Sequence, residues 1–225
     1  MTSTHELFRF TGCSELHEIL GKRAVDERRL VELIEEVPLD SIYFHTHSYF
    51  LRHSYVDRVY PNDFAQWVAT EVRDLVLGER LAVVDPFEFA NLETLREELL
   101  SIIDDHLSRM TVVPRVIYGS PFHFNQSRLL RVPTGLEVAT LPAFRHALGE
   151  VEVSAIYYHV FEARHRLNSS ENDFSAWALQ SLGMPDLADR LRSINPYLGS
   201  LERLRSVLIS VCDEFIAKQP VASAT

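Results

Sequence analysis

The chain carries IYFH at residues 42–45 followed by NDFAQW at residues 62–67, and the same order returns as IYYH at residues 156–159 and NDFSAW at residues 172–177. Two motifs in the same order within one chain indicate an internal duplication, which has to be recognised before local structure is assigned.

The match extends over most of the chain. A shift of 114 positions places residues 8–53 on residues 122–167 without a gap; a shorter loop in the second copy then resets the shift to 110, and one further slip resets it to 109. Both length changes fall where Pro, Asn, Ser or Gly mark loops. We predict two repeats, at residues 1–112 and 113–218, a loose tail at residues 219–225, and one core shared by the two halves.

The spacing of apolar residues predicts that each copy is mainly helical. Apolar residues recur at helical spacing in residues 26–36, and residues 40–53 and 92–107 predict two further helices. A Phe-x-Phe piece opens each copy and predicts a short strand, while the β-rich bridge at residues 111–140 predicts a hairpin or small sheet that could pair with the first strand. The expected fold is mainly α with short β segments, in two helical halves related by a pseudo-twofold axis.

Composition and charge exclude several classes of protein. The 225 residues are 46% hydrophobic and 24% charged, which indicates a globular chain, and the formal net charge of -10 disfavours binding to nucleic acid. The N-terminus lacks the pattern of a signal peptide, and no apolar run is long enough to span a membrane. The two cysteines lie far apart in sequence. We expect an acidic cytoplasmic protein that binds neither nucleic acid nor membrane.

Polar residues that recur in both copies are the first candidates for a ligand site. They either specify the fold, as helix caps and helix-bridging arginines do, or line two equivalent ligand pockets. The candidate ligand-binding residues are His45, Arg52 and Asp63 in the first copy and His159, Arg166 and Asp173 in the second.

The segment FHTHSYFLRH at residues 44–53 is the densest histidine cluster of the chain. His45 and His53 share a helix face but lie two turns apart, about 12 Å, so one ion would also need ligands from another helix. In the second copy, residues 159–165 read H-x-x-E-x-x-H, without the partner helices that a di-iron bundle requires. We predict no metal and no cofactor; an ion, if bound, would use residues among His45, His47, His53, His159 and Glu162.

The motif combination resembles a known family. SIYFH with NDFAQW, and AIYYH with NDFSAW, LADRL and SLERLR, are similar to a prokaryotic family catalogued as domain of unknown function 5752, over residues 8–215. The resemblance implies a bacterial or archaeal cytoplasmic protein and carries over no activity.

Two functional hypotheses stay open at this point. The chain contains no nucleophile elbow, phosphate-binding loop, dinucleotide fingerprint or zinc-protease motif, which favours a non-enzymatic module that binds another protein or a small-molecule ligand. The alternative is a hydrolase that uses metal or His/Asp acid–base chemistry, with its site in the region of His45, His47 and His53.

Overall fold

A computed structural model describes residues 6–55, 59–116, 119–164, 171–197 and 199–218 of the chain. Helices make up most of the described chain, and two long strands form an antiparallel two-stranded sheet. The expected mainly helical class is therefore confirmed. The predicted C-terminal tail lies outside the described residues.

The first part of the described chain has one strand followed by a series of helices. In order, these are β1 (Phe8–Ala24), α1 (Glu27–Glu36), α2 (Leu39–Thr46), α3 (Ser48–Arg52), α4 (Asp63–Trp67) with its continuation as a π-helix (Val68–Val72), α5 (Leu75–Ala82), a 3-10 turn (Pro86–Glu88) and α6 (Leu92–Ser108).

The second part begins with the other strand. In order, its elements are β2 (Phe122–Val138), α7 (Leu141–Glu150), α8 (Val153–Tyr157) with its continuation as a π-helix (Tyr158–Glu162), α9 (Asp173–Gln180), α10 (Pro185–Arg192) and α11 (Leu201–Lys218).

Side-chain caps fix where several helices begin. Asp26, Asn62 and Asn91 each accept a hydrogen bond from a backbone N–H in the first turn of α1, α4 and α6, and Asn172 does the same for α9. A cap of this kind satisfies an N–H group that has no partner inside the helix and stabilises the helix by about 1 kcal/mol. The repeated Asn-Asp dipeptide therefore acts first as a helix start.

The chain divides into two compact units, of which one is a continuous segment and the other consists of two separate segments. We call Met1–Ser14 with Arg131–Thr225 the terminal unit, and Glu15–Leu130 the central unit. Each strand begins in one unit and ends in the other. As a result, the Phe-x-Phe piece of each predicted repeat belongs to the unit that contains the helices of the other repeat.

The core of the central unit forms around the second Phe-x-Phe piece. The Phe122 ring stacks on Phe64 with a centroid distance of 5.2 Å and meets Trp67 edge-on at 5.7 Å, and Phe124 is fully buried. Apolar residues of α1, α5 and α6 complete this core. Burying one such ring contributes about 2 to 3 kcal/mol, so the strand and the helices stabilise each other.

The core of the terminal unit forms in the same way around the first Phe-x-Phe piece. The Phe8 ring lies 5.4 Å from Phe144, 5.4 Å from Phe174 and 5.6 Å from Trp177, and Phe10 stacks on Phe144. All five side chains are buried. The tryptophan of each unit also donates its indole N–H to a backbone carbonyl of that unit.

Several elements differ from the sequence prediction in length or continuity. Helix α1 and helix α6 lie where they were predicted, but the helix predicted over residues 40–53 is interrupted at His47 and forms α2 and α3. The strands are 17 residues long rather than short. Gly21 and Gly135 lie inside these strands with φ of 70° and 73°, a conformation that only glycine adopts readily.

Candidate functional site

In the central unit, His45 is buried and both of its ring nitrogens have partners. Nδ1 lies 2.7 Å from Oδ2 of Asp63, and Nε2 accepts a hydrogen bond of 3.1 Å from the backbone N–H of Asn125. Because a backbone amide can only donate, Nε2 must be the acceptor, and the proton of the neutral ring lies on Nδ1. The imidazole therefore links the first turn of α4 to strand β2.

Arg52 completes this arrangement from the end of α3. Its Nη2 donates to Asp63 Oδ2 at 2.6 Å and to the carbonyl oxygen of Phe44 at 2.8 Å, and the guanidinium lies 4.1 Å above the Phe44 ring. One carboxylate thus accepts from an arginine and a histidine that come from two different helices. Charge-assisted hydrogen bonds of this kind are the stronger ones in proteins.

The protonation states follow from burial and from these contacts. Burial lowers the pKa of His45, because the charged imidazolium loses its hydration, and this outweighs the opposite effect of Asp63. Burial alone would raise the pKa of Asp63, but the hydrogen bonds from His45 and Arg52 together with the arginine charge hold that pKa below its ordinary value. At neutral pH the site holds a neutral histidine and an ionised aspartate.

A cleft of about 590 Å³ opens above these three residues. Its lining combines aromatic faces with hydroxyl, amide and imidazole groups from α2, α3, α4, the following π-helix and the start of β2. Besides His45, Arg52 and Asp63, the lining includes Phe44, Gln66, Trp67, Thr70, Glu71, Ser120, Phe122 and His123. The structure thus brings together the three ligand-binding candidates predicted from the first copy. It adds the segment at residues 120–125, which the sequence indicated as β structure and not as part of a ligand site.

The terminal unit contains the same set of contacts around His159. Its Nδ1 lies 2.8 Å from Oδ2 of Asp173, and its Nε2 accepts a hydrogen bond of 2.9 Å from the backbone N–H of Thr11. The third predicted candidate of this copy, Arg166, lies outside the described residues. Arg164 donates to the backbone carbonyls of Arg192, the last residue of α10, and of Ile194.

The other predicted histidines do not converge on His45. His47 is buried and stacks on Tyr43, with a centroid distance of 4.8 Å and nearly parallel rings. His53 directs Nδ1 at the carbonyl oxygen of Tyr49, 2.9 Å away. Within the described part of the chain, the group of His, Cys, Asp and Glu side chains that is close enough to hold one ion contains none of the residues predicted for a metal.

That group consists of Glu27, Asp74 and His106, which the sequence analysis did not identify. Each offers one ligand atom, and these atoms lie within 4.8 Å of one another. Glu27 has no exposed surface, and neither of its carboxylate oxygens has a hydrogen-bond partner. Burial, reinforced by the charges of Asp74 and Asp26, raises the pKa of Glu27 to about 7. The one signal in the sequence was that all three residues are polar in the first copy only.

The family model "Family of unknown function (DUF5752)" matches residues 5–213. The chain belongs to this family. The resemblance seen in the repeated motifs is thereby confirmed over nearly the whole chain. The comparison places no activity on any residue.

A solved structure supports the same overall fold. The structure of OrfY from Thermoproteus tenax is similar with a TM-score of 0.77 and 27% sequence identity, covering 95% of this chain and 97% of that one. No curated protein matches this chain. Among the described residues, no helix combines the length and the apolar character needed to cross a membrane.

Proposed function

We propose that the protein is a non-enzymatic binding module, whose ligand occupies the cleft above His45, Arg52 and Asp63 in the central unit. The observation that carries this proposal is the engagement of both nitrogens of His45. A histidine that donates to a carboxylate and accepts from a backbone amide builds the wall of a cleft, and it has no nitrogen left to take a proton from a substrate or to bind a metal.

The same contacts weaken the alternative of a hydrolase. General acid–base catalysis requires a group within hydrogen-bond reach of the substrate proton and with a pKa near the working pH. Here the pKa of His45 is lowered by burial, and Asp63 already accepts from His45 and Arg52. The contacts of His47 and His53 with separate aromatic side chains give no support to a joint site with His45.

The lining of the cleft favours a small polar molecule with an aromatic or other flat apolar part. A volume of about 590 Å³ lies within the range of small-molecule sites, about 300 to 1,000 Å³. Gln66, Thr70 and Ser120 offer donors and acceptors, while Phe44 and Trp67 offer ring surface. Because Arg52 and Asp63 neutralise each other, the cleft has no excess positive charge to select a phosphate or a nucleic acid.

We also propose that the two helical series arose by tandem duplication and have pseudo-twofold symmetry. Two observations support this proposal. The shift of 114 positions that aligns His45 with His159 also aligns Asn125 with Thr11, whose backbone N–H groups donate to these histidines. Both histidines also accept through Nε2 and face an aspartate through Nδ1. A cytoplasmic location is part of the same proposal and is supported by the two widely separated, buried cysteines.

The test blocks the cleft without disturbing the core. Thr70 is exposed on the cleft wall, and its substitution by tryptophan should fill the space above Asp63. Gln180 occupies the aligned position of the second copy and is also exposed, so Gln180→Trp is the matched control. Native mass spectrometry and thermal-shift screening against fractionated cell extract should find a small molecule that binds wild type and Gln180→Trp but not Thr70→Trp.

Two results would count against the proposal. One is a bound molecule that Thr70→Trp retains as well as wild type does, because the cleft would then not be its site. The other is a catalytic turnover in the extract that Thr70→Trp abolishes and Gln180→Trp keeps. That outcome would make the cleft an active site and would favour the hydrolase.

A further inference from the structure

A second site lies in the central unit, formed by three elements that come from distant parts of the sequence. Glu27 is the first residue of α1, Asp74 is the residue that caps α5, and His106 lies in the last turn of α6. None of the three lines the cleft described above. Any role of this group is therefore independent of the proposed ligand site.

Glu27 is the residue that needs an explanation. It is completely buried, and both carboxylate oxygens lack a hydrogen-bond partner. A carboxylate removed from water costs several kcal/mol unless it is paired, protonated or bound to a metal. The closest candidate partners are Asp74, which is itself acidic, and His106, whose Nε2 is already 2.8 Å from Asp74 Oδ2. No described side chain pairs with Glu27, so either a proton or a cation has to compensate its charge.

We propose that Glu27, Asp74 and His106 bind a divalent transition-metal ion, with Zn²⁺ as the best fit. Two carboxylate oxygens and one imidazole nitrogen are ligands that Zn²⁺ accepts, and the two negative charges neutralise the ion. In a tetrahedral site with bonds of about 2.1 Å the ligand atoms lie about 3.4 Å apart. The present spacing of up to 4.8 Å closes to this distance when two facing side chains each move by about 0.7 Å.

The local structure prepares two of these ligands. Asp74 Oδ1 accepts a hydrogen bond of 2.9 Å from the backbone N–H of Leu77, which fixes the carboxylate while Oδ2 faces His106. Glu27 is held by the start of α1, where Asp26 caps the helix. Hydrogen bonds that orient a ligand in this way raise metal affinity, typically by 10- to 100-fold. Three protein ligands leave a fourth position for water or for another small ligand.

The second copy offers an internal comparison. The shifts that align the motifs place Glu27 on Leu141, Asp74 on Met184 and His106 on Phe215, and these residues lie at the same points of α7, α10 and α11. All three polar residues are thus apolar in the other copy. The hydrogen bond between His106 and Asp74 accounts for the joint replacement of that pair, and one shared ion accounts for the replacement of Glu27 together with them.

The experiment measures Zn²⁺ binding to the full chain after treatment with a chelator. Isothermal titration calorimetry should give one bound Zn²⁺ per chain, and Co²⁺ in its place should give visible absorption bands from a site with mixed nitrogen and oxygen ligands. Glu27→Gln keeps the side-chain shape, removes the charge, and should weaken binding by about 100-fold or more. Glu32→Gln, on the exposed side of α1, is the control and should leave the affinity unchanged.

A combined variant keeps the test valid if a single variant fails to fold. Glu27→Leu with Asp74→Met and His106→Phe transfers the residues of the second copy, should fold, and should bind no Zn²⁺ or Co²⁺ at this site. The proposal is overturned if wild type binds neither ion, which would leave a proton as the only occupant of Glu27. It is equally overturned if Glu27→Gln or the combined variant binds as tightly as wild type does.

Discussion

Substitution of His45 by leucine tests whether the buried histidine is structural. Leucine has a similar volume and no polar atoms, so His45→Leu removes two hydrogen bonds without opening a large cavity. The backbone N–H of Asn125 would lose its acceptor, and Asp63 would lose one of its donors.

The expected loss of stability follows from these two contacts. A buried amide left without a partner costs about 1 to 3 kcal/mol, and a hydrogen bond to a charged group contributes about 1.5 to 3 kcal/mol. Arg52 remains on Asp63 and limits the second cost. We therefore expect His45→Leu to lower the free energy of unfolding of the central unit by about 3 to 5 kcal/mol.

The two tryptophans of the chain allow each unit to be followed separately. Trp67 lies in the core of the central unit and Trp177 in that of the terminal unit. In a Trp177→Phe background, urea unfolding followed by fluorescence reports on the central unit, and a Trp67→Phe background reports on the terminal unit. His45→Leu should shift the first transition more than the second.

His53→Leu is the matched control. His53 is only partly buried and directs one nitrogen at a carbonyl of its own helical turn, so its replacement should cost less than about 1 kcal/mol. The structural role of His45 would be refuted if His45→Leu and His53→Leu destabilised the central unit equally, or if His45→Leu lowered its free energy of unfolding by less than about 1 kcal/mol.

Three further predictions concern pH, thiol reactivity and the strand glycines. Folding lowers the pKa of His45, so the unfolded chain takes up a proton before the folded chain as the pH falls below about 6.5. The stability lost in His45→Leu should therefore be smaller at pH 5.5 than at pH 7.5, and an equal loss at both pH values would contradict a neutral imidazole. Burial raises the pKa of the Cys212 thiol to about 12, so a thiol reagent at pH 8 should modify Cys212 no faster than the chain unfolds. Fast modification of Cys212 in the native protein would contradict its burial. Gly135→Ala forces a side chain into a φ of 73° and should lower the free energy of unfolding by about 1 kcal/mol. Gly149→Ala, in α7 with open space around the new methyl group, should raise it by up to about 1 kcal/mol. Thermal unfolding that ranks the two variants the other way would refute the left-handed conformation of Gly135.

Much of the helical structure could be predicted because its signals are local. The capping Asp26 and the spacing of Leu30, Leu33 and Ile34 define α1, and the repeated Asn-Asp dipeptide defines the start of α4 and α9. A cap and an apolar face lie within a few residues of each other, so a pattern in the sequence is sufficient to find them.

The assembly of the two units could not be predicted, because it depends on contacts between distant segments. The sequence places Phe8 and Phe10 at the head of the first repeat, yet their rings pack on Phe144 and Phe174 of the terminal unit. The alternation of apolar residues indicates a strand with one buried face. It does not say which helices cover that face.

The candidate site could be predicted only in part, because it too depends on contacts between distant segments. His45, Arg52 and Asp63 were found because they recur in both copies, but the acceptor role of His45 depends on Asn125, which is 80 residues away. Glu27 was missed because an acidic residue in the first turn of a helix is ordinary. Only its complete burial without a partner makes it unusual.

The indole signals of the two tryptophans test the proposed ligand site most directly. Trp67 lines the cleft and donates its indole N–H to the carbonyl oxygen of Ser120, whereas the indole of Trp177 donates within the terminal unit. In a ¹H–¹⁵N NMR titration with the molecule that the extract screen identifies, the Trp67 signal should shift while the Trp177 signal stays in place. A saturating titration that shifts only the Trp177 signal, or neither signal, would contradict the assignment of the cleft as the binding site.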